Sequence, residues 1–412
     1  MPYIPHHIQA LKPYQSARDL YQGDYLFLDA NENCFGALVD SKDLLNSDGT
    51  SKIDVSAYPD TDSTALRKVL APYYGVDIDE MAIFNGSDAS IPEIIIAFSD
   101  PGDCIAGLDI GFGMFRSFTE MHDRKYTSLP TDENFNLIMT EDGKKEMEKI
   151  LKKSRVVFLD TPNNPSGNPQ SREAIEWLIE KTGEMGALLV IDEAYNGFMD
   201  NSDVSSFIKL APKLSHVFVS RSFSKKWSMA GGRIGGVVGN KDLINTIIKV
   251  RIPYHMSAMS QALGVAAVGK KGEMERMCEL IKEYRADLAE SLNSLQISDA
   301  DGQAKKALHV YPSQTNFLLV KFPKNSREIF DRLVNEYKIV LRYFGGGDTL
   351  AGKDSKLAHC VRITVGTPEQ NEKLTNALRK IISNSQSGNS KNFGKSQVFQ
   401  CYLHHFVAGV RS

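Results

Sequence analysis

The hydrophobic residues between positions 150 and 240 fall into short, fully apolar runs separated by polar and amphipathic stretches. Three runs, at residues 156–159, 187–191 and 216–219, have the length and the composition of buried strands. Residues 172–185, between the first two runs, place apolar side chains at helical spacing. Strands that alternate with helices in this way form parallel sheets covered by helices, so the pattern predicts an α/β fold.

Polar residues follow each of the three apolar runs. The first run leads into a turn-rich loop that contains Asn164, and the second leads into Asp192 and Tyr195. The third run leads into a loop that contains Lys225. Because open α/β sheets bind ligands at the carboxyl ends of their strands, we expect these four side chains to form one site.

Small hydroxyl residues surround Lys225 in its loop. Ser222 and Ser224 precede this lysine, and Arg233 follows eight residues later. A lysine that forms an imine with an aldehyde cofactor must lose its proton near neutral pH, which burial and a neighbouring cation favour. The hydroxyl and guanidinium groups are suited to bind the phosphate of such a cofactor. Because Ser-x-Ser-Lys is a common pattern, a solvated surface lysine is the alternative.

A second candidate phosphate site lies earlier in the chain. Gly86, Ser87 and Asp88 open a predicted helix that continues to residue 98. Small residues at a helix start leave backbone N–H groups free at the positive end of the helix dipole, which suits an anion. A plain helix cap by Ser87 or Asp88 is the alternative. Phe112 offers either a flat apolar surface for a ring or an ordinary core side chain.

The pattern divides the chain into four segments. Residues 1–36 contain prolines and little periodicity, and we expect an extended arm that packs with the small domain or a partner. Residues 37–268 form the large domain and residues 269–382 the small one, joined by a long charged helix at 268–295. Residues 383–412 begin with a tract rich in Ser, Asn, Gly and Lys and are expected to be a disordered tail.

The small domain is predicted to contain strands at 316–320, 339–342 and 360–365 and helices at 328–337 and 368–382. Arg362 is a charge inside the otherwise apolar third strand, and extension of its side chain to solvent is one interpretation. The glycines at 345–347 predict a flexible lid. In the large domain, Ser63 is expected to cap an amphipathic helix.

Composition excludes several classes of protein. The 412 residues carry a net charge of -3, whereas proteins with a broad nucleic-acid surface usually carry a basic excess. The five cysteines are scattered without a Cys-x-x-Cys pair, which argues against a disulfide framework and a structural zinc site. The first residues lack the apolar core of a signal peptide, and no apolar run approaches membrane-spanning length. We therefore expect a cytoplasmic protein that binds neither nucleic acid nor membranes and holds no metal.

Three motifs resemble the class I/II (fold type I) aminotransferases, which use pyridoxal 5'-phosphate. They are Pro-Asn-Asn-Pro-Ser-Gly at 162–167, Asp-Glu-Ala-Tyr at 192–195, and Ser-Phe-Ser-Lys at 222–225 with an arginine eight residues on. Within that family the chain is similar to the histidinol-phosphate aminotransferases over roughly residues 8–382. The motifs of this narrower match are Leu-Lys-Pro-Tyr-Gln-Ser-Ala-Arg at 11–18, Leu-Asp-Ala-Asn-Glu-Asn at 28–33, Tyr-Pro-Asp at 58–60, Asn-Gly-Ser-Asp at 85–88 and Val-Arg-Ile-Thr-Val-Gly-Thr-Pro-Glu-Gln-Asn at 361–371. The resemblance implies a large domain with a mostly parallel seven-stranded sheet between helices, and a smaller α+β C-terminal domain.

The resemblance also implies a role for each cofactor-binding residue. Lys225 would bind the cofactor's aldehyde covalently and later move the proton at the substrate carbon. Asp192 would pair with the pyridine nitrogen, because a carboxylate there keeps the ring protonated and able to accept electrons. Tyr195 and Asn164 would hydrogen-bond the ring's phenolic oxygen, and Phe112 would stack on the ring. The phosphate would be held by Gly86, Ser87, Asp88, Ser222, Ser224 and Arg233.

A symmetric homodimer with shared active sites is implied as well, because Tyr58 would reach the phosphate bound by the neighbouring subunit. Arg362 matches the arginine that grips the anionic end of the substrate, where a planar fork outperforms lysine. The remaining residues expected at the substrate are Tyr14, Asn31, Tyr254 and Arg342. The chain departs from the family pattern at Cys34, where proline is usual, at Ala89, where glutamate is common, and at Gly232 and Gly236, where bulkier residues occur.

The expected function is amino transfer between L-glutamate/2-oxoglutarate and L-histidinol phosphate/imidazole-acetol phosphate, in histidine biosynthesis. One alternative is an aminotransferase for another small amino-alcohol phosphate or for an aromatic amino acid. Another is a decarboxylase of a phosphorylated amino acid on the same fold, since active-site shape decides which bond breaks. A non-catalytic regulator that binds pyridoxal phosphate is the alternative from a different class, although the chain has no basic recognition helix before the aminotransferase-like region.

Overall fold

The computed structural model describes residues 3–11, 16–21, 23–200, 206–298, 304–344 and 356–386. The α-helices in these ranges are α1 (His6–Gln9), α2 (Ala17–Leu20), α3 (Thr64–Tyr74), α4 (Ser87–Phe98), α5 (Met114–Met121), α6 (Glu141–Leu151), α7 (Arg172–Met185), α8 (Lys241–Ile247), α9 (Ala258–Gly269), α10 (Lys271–Asn293), α11 (Ser326–Tyr337) and α12 (Pro368–Gln386). The strands are β1 (Leu26–Leu28), β2 (Met81–Asn85), β3 (Cys104–Leu108), β4 (Lys125–Leu129), β5 (Ser154–Asp160), β6 (Leu188–Asp192), β7 (Val217–Ser222), β8 (Ile234–Val238), β9 (Gln296–Ser298), β10 (Ala304–Lys306), β11 (His309–Val310), β12 (Phe317–Lys321), β13 (Ile339–Tyr343) and β14 (Cys360–Thr364).

A seven-stranded sheet forms the centre of the large domain, in the order β2-β8-β7-β6-β5-β3-β4. Strand β8 is antiparallel to both neighbours, and the other pairs are parallel. Residues 156–159, 188–191 and 217–219 of the central strands form continuous apolar runs, as expected for parallel strands with helices on both faces of the sheet. This arrangement confirms the predicted α/β fold with a mostly parallel seven-stranded sheet.

Alternate residues of the central strands pack into two separate cores. Leu159, Ile191 and Val219 belong to one core, and Phe158, Val190 and Phe218 belong to the other. Side chains of a strand alternate between the two faces of the sheet. The side chains two positions after the second set therefore project to the same face at the carboxyl end of the sheet. They are Asp160, Asp192 and Ser220, which are paired in register across β5, β6 and β7.

The small domain contains a five-stranded sheet in the order β1-β13-β14-β12-β11, and α11 and α12 contact each other beside it. Strand β1 comes from the N-terminal segment and runs parallel to β13, with Leu26 opposite Ile339. Besides the extended β1, which packs in the small-domain sheet, the N-terminal segment forms the single-turn helices α1 and α2, so it is not extended throughout.

The predicted helix at 268–295 is divided in two. Helix α9 ends at Gly269, and Lys270, which leaves the helical conformation, separates it from α10. The buried Arg285 of α10 donates to the carbonyl oxygens of Phe198 and Thr315 at 2.8 and 2.9 Å, which ties the two domains together. Helix α12 continues four residues beyond the predicted end at 382.

The start of α3 also differs from the prediction. Ser63 has a positive φ of 51° and makes no side-chain cap. The Oδ2 atom of Asp60 instead accepts a hydrogen bond from the backbone N–H of Thr64 at 2.7 Å. A separate finding concerns membranes: none of the helices in the described ranges is both long enough and apolar enough to cross one.

Candidate active site

Lys225 lies just beyond β7, and the N-terminal segment contacts its amine. The Nζ atom donates to the backbone carbonyls of Ala30 at 3.1 Å and Asn31 at 3.3 Å, and lies 5.7 Å from the centre of the Tyr195 ring. Burial lowers the pKa of Lys225 to about 8, and the positive charge of Arg362 acts in the same direction. Lys225 is only partly exposed, so its amine loses its proton more easily than that of a surface lysine, which argues against the alternative of a solvated surface lysine.

Tyr195 is a buried phenol beside this lysine. Its hydroxyl oxygen accepts a hydrogen bond from Asn31 Nδ2 at 2.9 Å, and burial raises the pKa of Tyr195 to about 12. The hydroxyl thus keeps its proton at neutral pH and can donate it to a ligand. Asn31 is also held by Thr364 Oγ1, which accepts from its backbone N–H at 3.0 Å, and by Asn316 Nδ2, which donates to its carbonyl at 3.0 Å.

Arg362 is directed into the site from the small domain. Its Nη1 atom donates to Asn164 Oδ1 at 2.5 Å, and its Nη2 atom donates to the carbonyl of Asp29 at 2.5 Å. The interpretation that this arginine extends to solvent is therefore wrong. Arg342 lies directly opposite Arg362 in the β13–β14 pair. Because like charges opposite each other destabilise a sheet, this arginine pair suits an anionic ligand.

Asp192 is the buried carboxylate of the site. Its Oδ1 atom accepts the backbone N–H of Ala194 at 3.0 Å. Burial raises the pKa of Asp192 to about 7, and the neighbouring Asp160 raises it further. A cation placed against Asp192, such as a protonated pyridine nitrogen, would stabilise its charged form.

Gly86 and Gly235 allow the chain to close tightly around the start of α4. Gly86 has a φ of 83°, and a Cβ atom there would lie 2.4 Å from Arg233 Nη2. A Cβ atom at Gly235 would lie 2.2 Å from the backbone nitrogen of Ser87. No side chain caps this helix end, so the alternative of a plain cap by Ser87 or Asp88 is wrong. Its backbone N–H groups remain available to an anion.

The start of α4 forms one side of a candidate phosphate site, which we call the phosphate cradle. Its other side is formed by Arg233, Ser222 and Ser224. Arg233 Nη1 donates to Ser224 Oγ at 3.4 Å, and Arg233 Nη2 lies 3.3 Å from Asp88 Oδ2. Ser222 and Ser224 are both buried. A guanidinium, two hydroxyls and a free helix N-terminus are together the donor set that a phosphate group requires.

Phe112 is partly buried beside the core that contains Phe115 and Phe158. Its ring meets the Phe115 ring edge to face, at 5.4 Å between centres. Phe112 therefore makes the contacts expected of an ordinary core side chain. It also lies on the face of the sheet that carries Asp192.

Two of the expected site residues lie at the protein surface. Tyr58 and Tyr254 stack on each other at 4.6 Å, with 82% and 48% of their surfaces exposed. Tyr14, the glycines at 345–347 and nearly all of the expected tail lie outside the described residues. Asp160 also lies at this site, although the motifs did not identify it. Its position directly after an apolar run, like that of Asp192, could have indicated it.

The residues present fit pyridoxal phosphate. They supply a lysine with a lowered pKa, a buried carboxylate for the ring nitrogen, phenol and amide groups for the ring oxygen, and a phosphate cradle. Within the described residues, no group of three or more His, Cys, Asp or Glu side chains is arranged to hold a metal ion.

Comparison with known proteins gives concordant results. Residues 19–378 match the family described as aminotransferase class I and II. The chain is 30% identical over 376 residues to histidinol-phosphate aminotransferase of Bacteroides thetaiotaomicron, covering 90% of this chain and 96% of that protein. It is 32% identical over 373 residues to the enzyme of the same description from Parabacteroides distasonis, covering 90% and 95%. The structure of histidinol-phosphate aminotransferase from Sinorhizobium meliloti in complex with pyridoxal-5'-phosphate superimposes with a TM-score of 0.77 at 23% identity, covering 93% of this chain and 99% of that one.

Proposed function

Because the chain belongs to the aminotransferase class I and II family, we propose that it transfers an amino group between L-histidinol phosphate and 2-oxoglutarate, giving imidazole-acetol phosphate and L-glutamate. This reversible reaction belongs to histidine biosynthesis. The hydrogen bond from Arg362 to Asn164 is the observation that carries the proposal, since it joins an anion-binding arginine to the lysine site. The names of the curated relatives support the choice of substrate.

Pyridoxal phosphate, when bound, supplies an aldehyde that accepts the amino group and a ring that takes up the electrons of a broken C–H bond. Lys225 would take the proton from the substrate carbon and deliver it to the cofactor, a task suited to an amine whose pKa is about 8. Asp192 holds the pyridine nitrogen, and the hydroxyl of Tyr195 and the amide of Asn164 hold the phenolic oxygen.

The phosphate cradle consists of Gly86, Ser87, Asp88, Ser222, Ser224 and Arg233. Asp88 contributes its backbone N–H, because its carboxylate repels an anion. Its ion pair with Arg233 is half-exposed, so rearranging it costs little. Phe112 covers one face of the ring. Arg342 and Arg362 bind the anionic groups of both substrates. We also assign Asn31 and Tyr14 to the substrate, the latter from the family resemblance alone.

The active unit is a homodimer. Five apolar side chains are exposed in two segments that meet where Tyr58 stacks on Tyr254; they are Val55, Tyr58, Ile252, Tyr254 and Met259. An exposed apolar face of this kind suits a second copy of the chain. Tyr58 and Tyr254 then complete the partner's site rather than their own.

Mixing two defective variants tests the shared site. In the proposed dimer, each site takes Lys225 from one subunit and Tyr58 from the other. A dimer of one Lys225→Ala subunit and one Tyr58→Ala subunit therefore contains one site with both native residues. Denaturing and refolding the two variants together should restore part of the activity. A mixture no more active than its components would contradict shared sites.

We also assign the protein to the cytoplasm. The four described cysteines are unpaired, as expected in a reducing compartment. Recovery of the protein outside the cytoplasmic fraction of its native cells would contradict this assignment.

The reaction is tested by the absorbance of the holoenzyme when L-histidinol phosphate is added without 2-oxoglutarate. The visible band of the bound cofactor should disappear, and adding 2-oxoglutarate should restore it. Loss of the band with L-glutamate only would keep the aminotransferase and overturn the substrate. Carbon dioxide release from a phosphorylated amino acid without any keto acid would favour the decarboxylase.

A further inference from the structure

Asp160 is a buried carboxylate, 4% exposed, at the end of β5. Its Oδ2 atom accepts hydrogen bonds from the backbone N–H of Asn164 at 2.8 Å and from Asn163 Nδ2 at 3.1 Å. Both donors belong to the loop that follows its own strand. The side chain therefore folds this loop back over the end of the sheet.

Asn163 extends the same network. Its Nδ2 atom also donates to the carbonyl of Ile110 at 3.0 Å, and its Oδ1 atom accepts from the backbone N–H of Ser166 at 3.0 Å and from the Ser166 hydroxyl at 2.6 Å. Asn163 and Ser166 have no exposed surface. Because Asp160, Asn163 and Ser166 are buried and hydrogen-bonded to one another or to the loop backbone, the loop has little freedom to move while Asp160 holds it.

The other carboxylate oxygen of Asp160 faces the loop that carries Phe112. A Cβ atom at Gly111 would lie 3.0 Å from Asp160 Oδ1, so this oxygen lies close against the Gly111 backbone. Oδ1 is buried, and the backbone N–H of Phe112 lies close enough to the Asp160 carboxyl to oppose the rise that burial causes in its pKa. Asp160 thus touches both loops that flank the expected ring of the cofactor, one through each oxygen.

Asn164 transmits this constraint to the small domain. Its backbone is held by Asp160, and its side-chain oxygen accepts the hydrogen bond from Arg362 at 2.5 Å. Arg362 lies opposite Arg342 in the small-domain sheet. The orientation of the Asn164 amide therefore depends on Asp160 at one end and determines the Arg362 contact at the other.

We propose that Asp160 is a positioning residue of the active site, which holds the Asn164 amide where it meets both the phenolic oxygen of pyridoxal phosphate and Arg362. This inference rests on the proposed function. Asp160 itself contacts neither substrate nor the reacting atoms, since Asn164 and the Gly111 backbone surround its two oxygens.

Two variants of Asp160 distinguish a role in positioning Asn164 from a role in stabilising the fold alone. Asp160→Asn keeps an oxygen that can accept the Asn164 N–H, whereas Asp160→Ala removes it. We expect kcat/KM for L-histidinol phosphate to fall about tenfold or more in Asp160→Ala and by no more than about threefold in Asp160→Asn, because the acceptor for the Asn164 N–H is lost only in the first. The affinity of the apoenzyme for pyridoxal phosphate, measured by titration, should follow the same order.

A double-mutant cycle shows whether Asp160 acts through Asn164. In an Asn164→Ala background, Asp160→Ala should cause little further loss of cofactor affinity. Glu93→Gln is the control, because Glu93 is also a carboxyl with a buried oxygen but lies on α4, away from the loop. This variant should leave both the affinity and kcat/KM unchanged.

Three outcomes would overturn the inference. They are an Asp160→Ala variant that binds cofactor and substrate as the wild type does, equal losses in Asp160→Asn and Asp160→Ala, and fully additive losses in the double variant. A wild-type enzyme that ignores L-histidinol phosphate would instead overturn the proposed substrate, while the cofactor titrations would still test Asp160.

Discussion

The Lys225 amine donates a hydrogen bond to the backbone carbonyl of Asn31, at 3.3 Å and across 194 positions of the chain. Asn31 in turn donates from its side chain to Tyr195, so the N-terminal segment contacts both the lysine and the phenol of the site. The segment is anchored in the small-domain sheet through β1. Movement of the small domain relative to the large one must therefore alter the surroundings of Lys225.

The two adjacent lysines provide a first test. Lys225→Ala should lower the rate of amino transfer by about a thousandfold, because the variant lacks the amine that moves the proton. Lys226→Met is the matched control, since Lys226 is buried on the opposite side of the loop and donates to the Tyr73 hydroxyl at 3.0 Å. This control should keep activity within about threefold of the wild type. Steady-state kinetics measure the activity of both variants. Equal losses of activity would contradict a catalytic role specific to Lys225.

Lys226 also predicts a pH dependence of stability. Burial lowers the pKa of Lys226 to about 7 from its usual 10.5, and Arg221 contributes in the same direction. The unfolded chain therefore binds one more proton than the folded chain between about pH 7 and pH 10.5, so this residue makes stability rise with pH in that window.

Lys226→Met removes this effect. Methionine has a similar shape and no charge to desolvate, so the variant should be more stable than the wild type at pH 7 by about 4 kcal/mol, the free energy of one proton over this pH window. The gain should shrink steadily and vanish by about pH 10.5. Urea unfolding of both proteins at several pH values measures the difference, and a gain independent of pH would show that the lysine is charged in the folded state.

Alanine substitutions at two glycines with positive φ distinguish the effect of backbone strain from the effect of obstructing the phosphate cradle. Gly86 has a φ of 83° and Gly102 a φ of 88°, but only at Gly86 would a Cβ atom meet a side chain, that of Arg233. Both alanine variants should lose about 1 kcal/mol of stability from the strained backbone. Only Gly86→Ala should also weaken pyridoxal phosphate binding, by about tenfold, because Arg233 must move. Cofactor titration of both apoenzymes tests this, and equal affinities would contradict the predicted cradle.

Arg362 should control how readily Lys225 loses its proton. The positive charge of Arg362 helps lower the Lys225 pKa to about 8, so its removal in Arg362→Gln should raise that pKa. The rate at which the apoenzyme binds pyridoxal phosphate covalently should then reach half its maximum at a higher pH than the wild-type value of about 8. Arg362→Lys keeps the charge and should keep the midpoint. An unchanged midpoint in Arg362→Gln would show that burial alone sets the Lys225 pKa.

Much of the fold could be predicted from local pattern. The apolar runs before Asp192 and Lys225 identified two central strands, and their order along the chain predicted a parallel sheet with a site at its carboxyl end. Helix boundaries were less predictable where a single contact decides them. At α3 the carboxylate of Asp60 receives the Thr64 N–H in place of the Ser63 hydroxyl, and at Lys270 one non-helical residue divides a continuous amphipathic pattern.

The sequence by itself determined the three central strands, the main strands of the small domain, the more amphipathic helices such as α7, and the chemical types gathered at the strand ends, because these depend on neighbours within a few positions. Only the tertiary structure decided that Arg362 reaches Asn164, that Asn31 reaches Lys225 and Tyr195, and that Asp160 holds the Asn164 loop against Gly111. The first two contacts join residues more than 160 positions apart. All three depend on how two domains and several loops pack, which no local pattern of polar and apolar residues records.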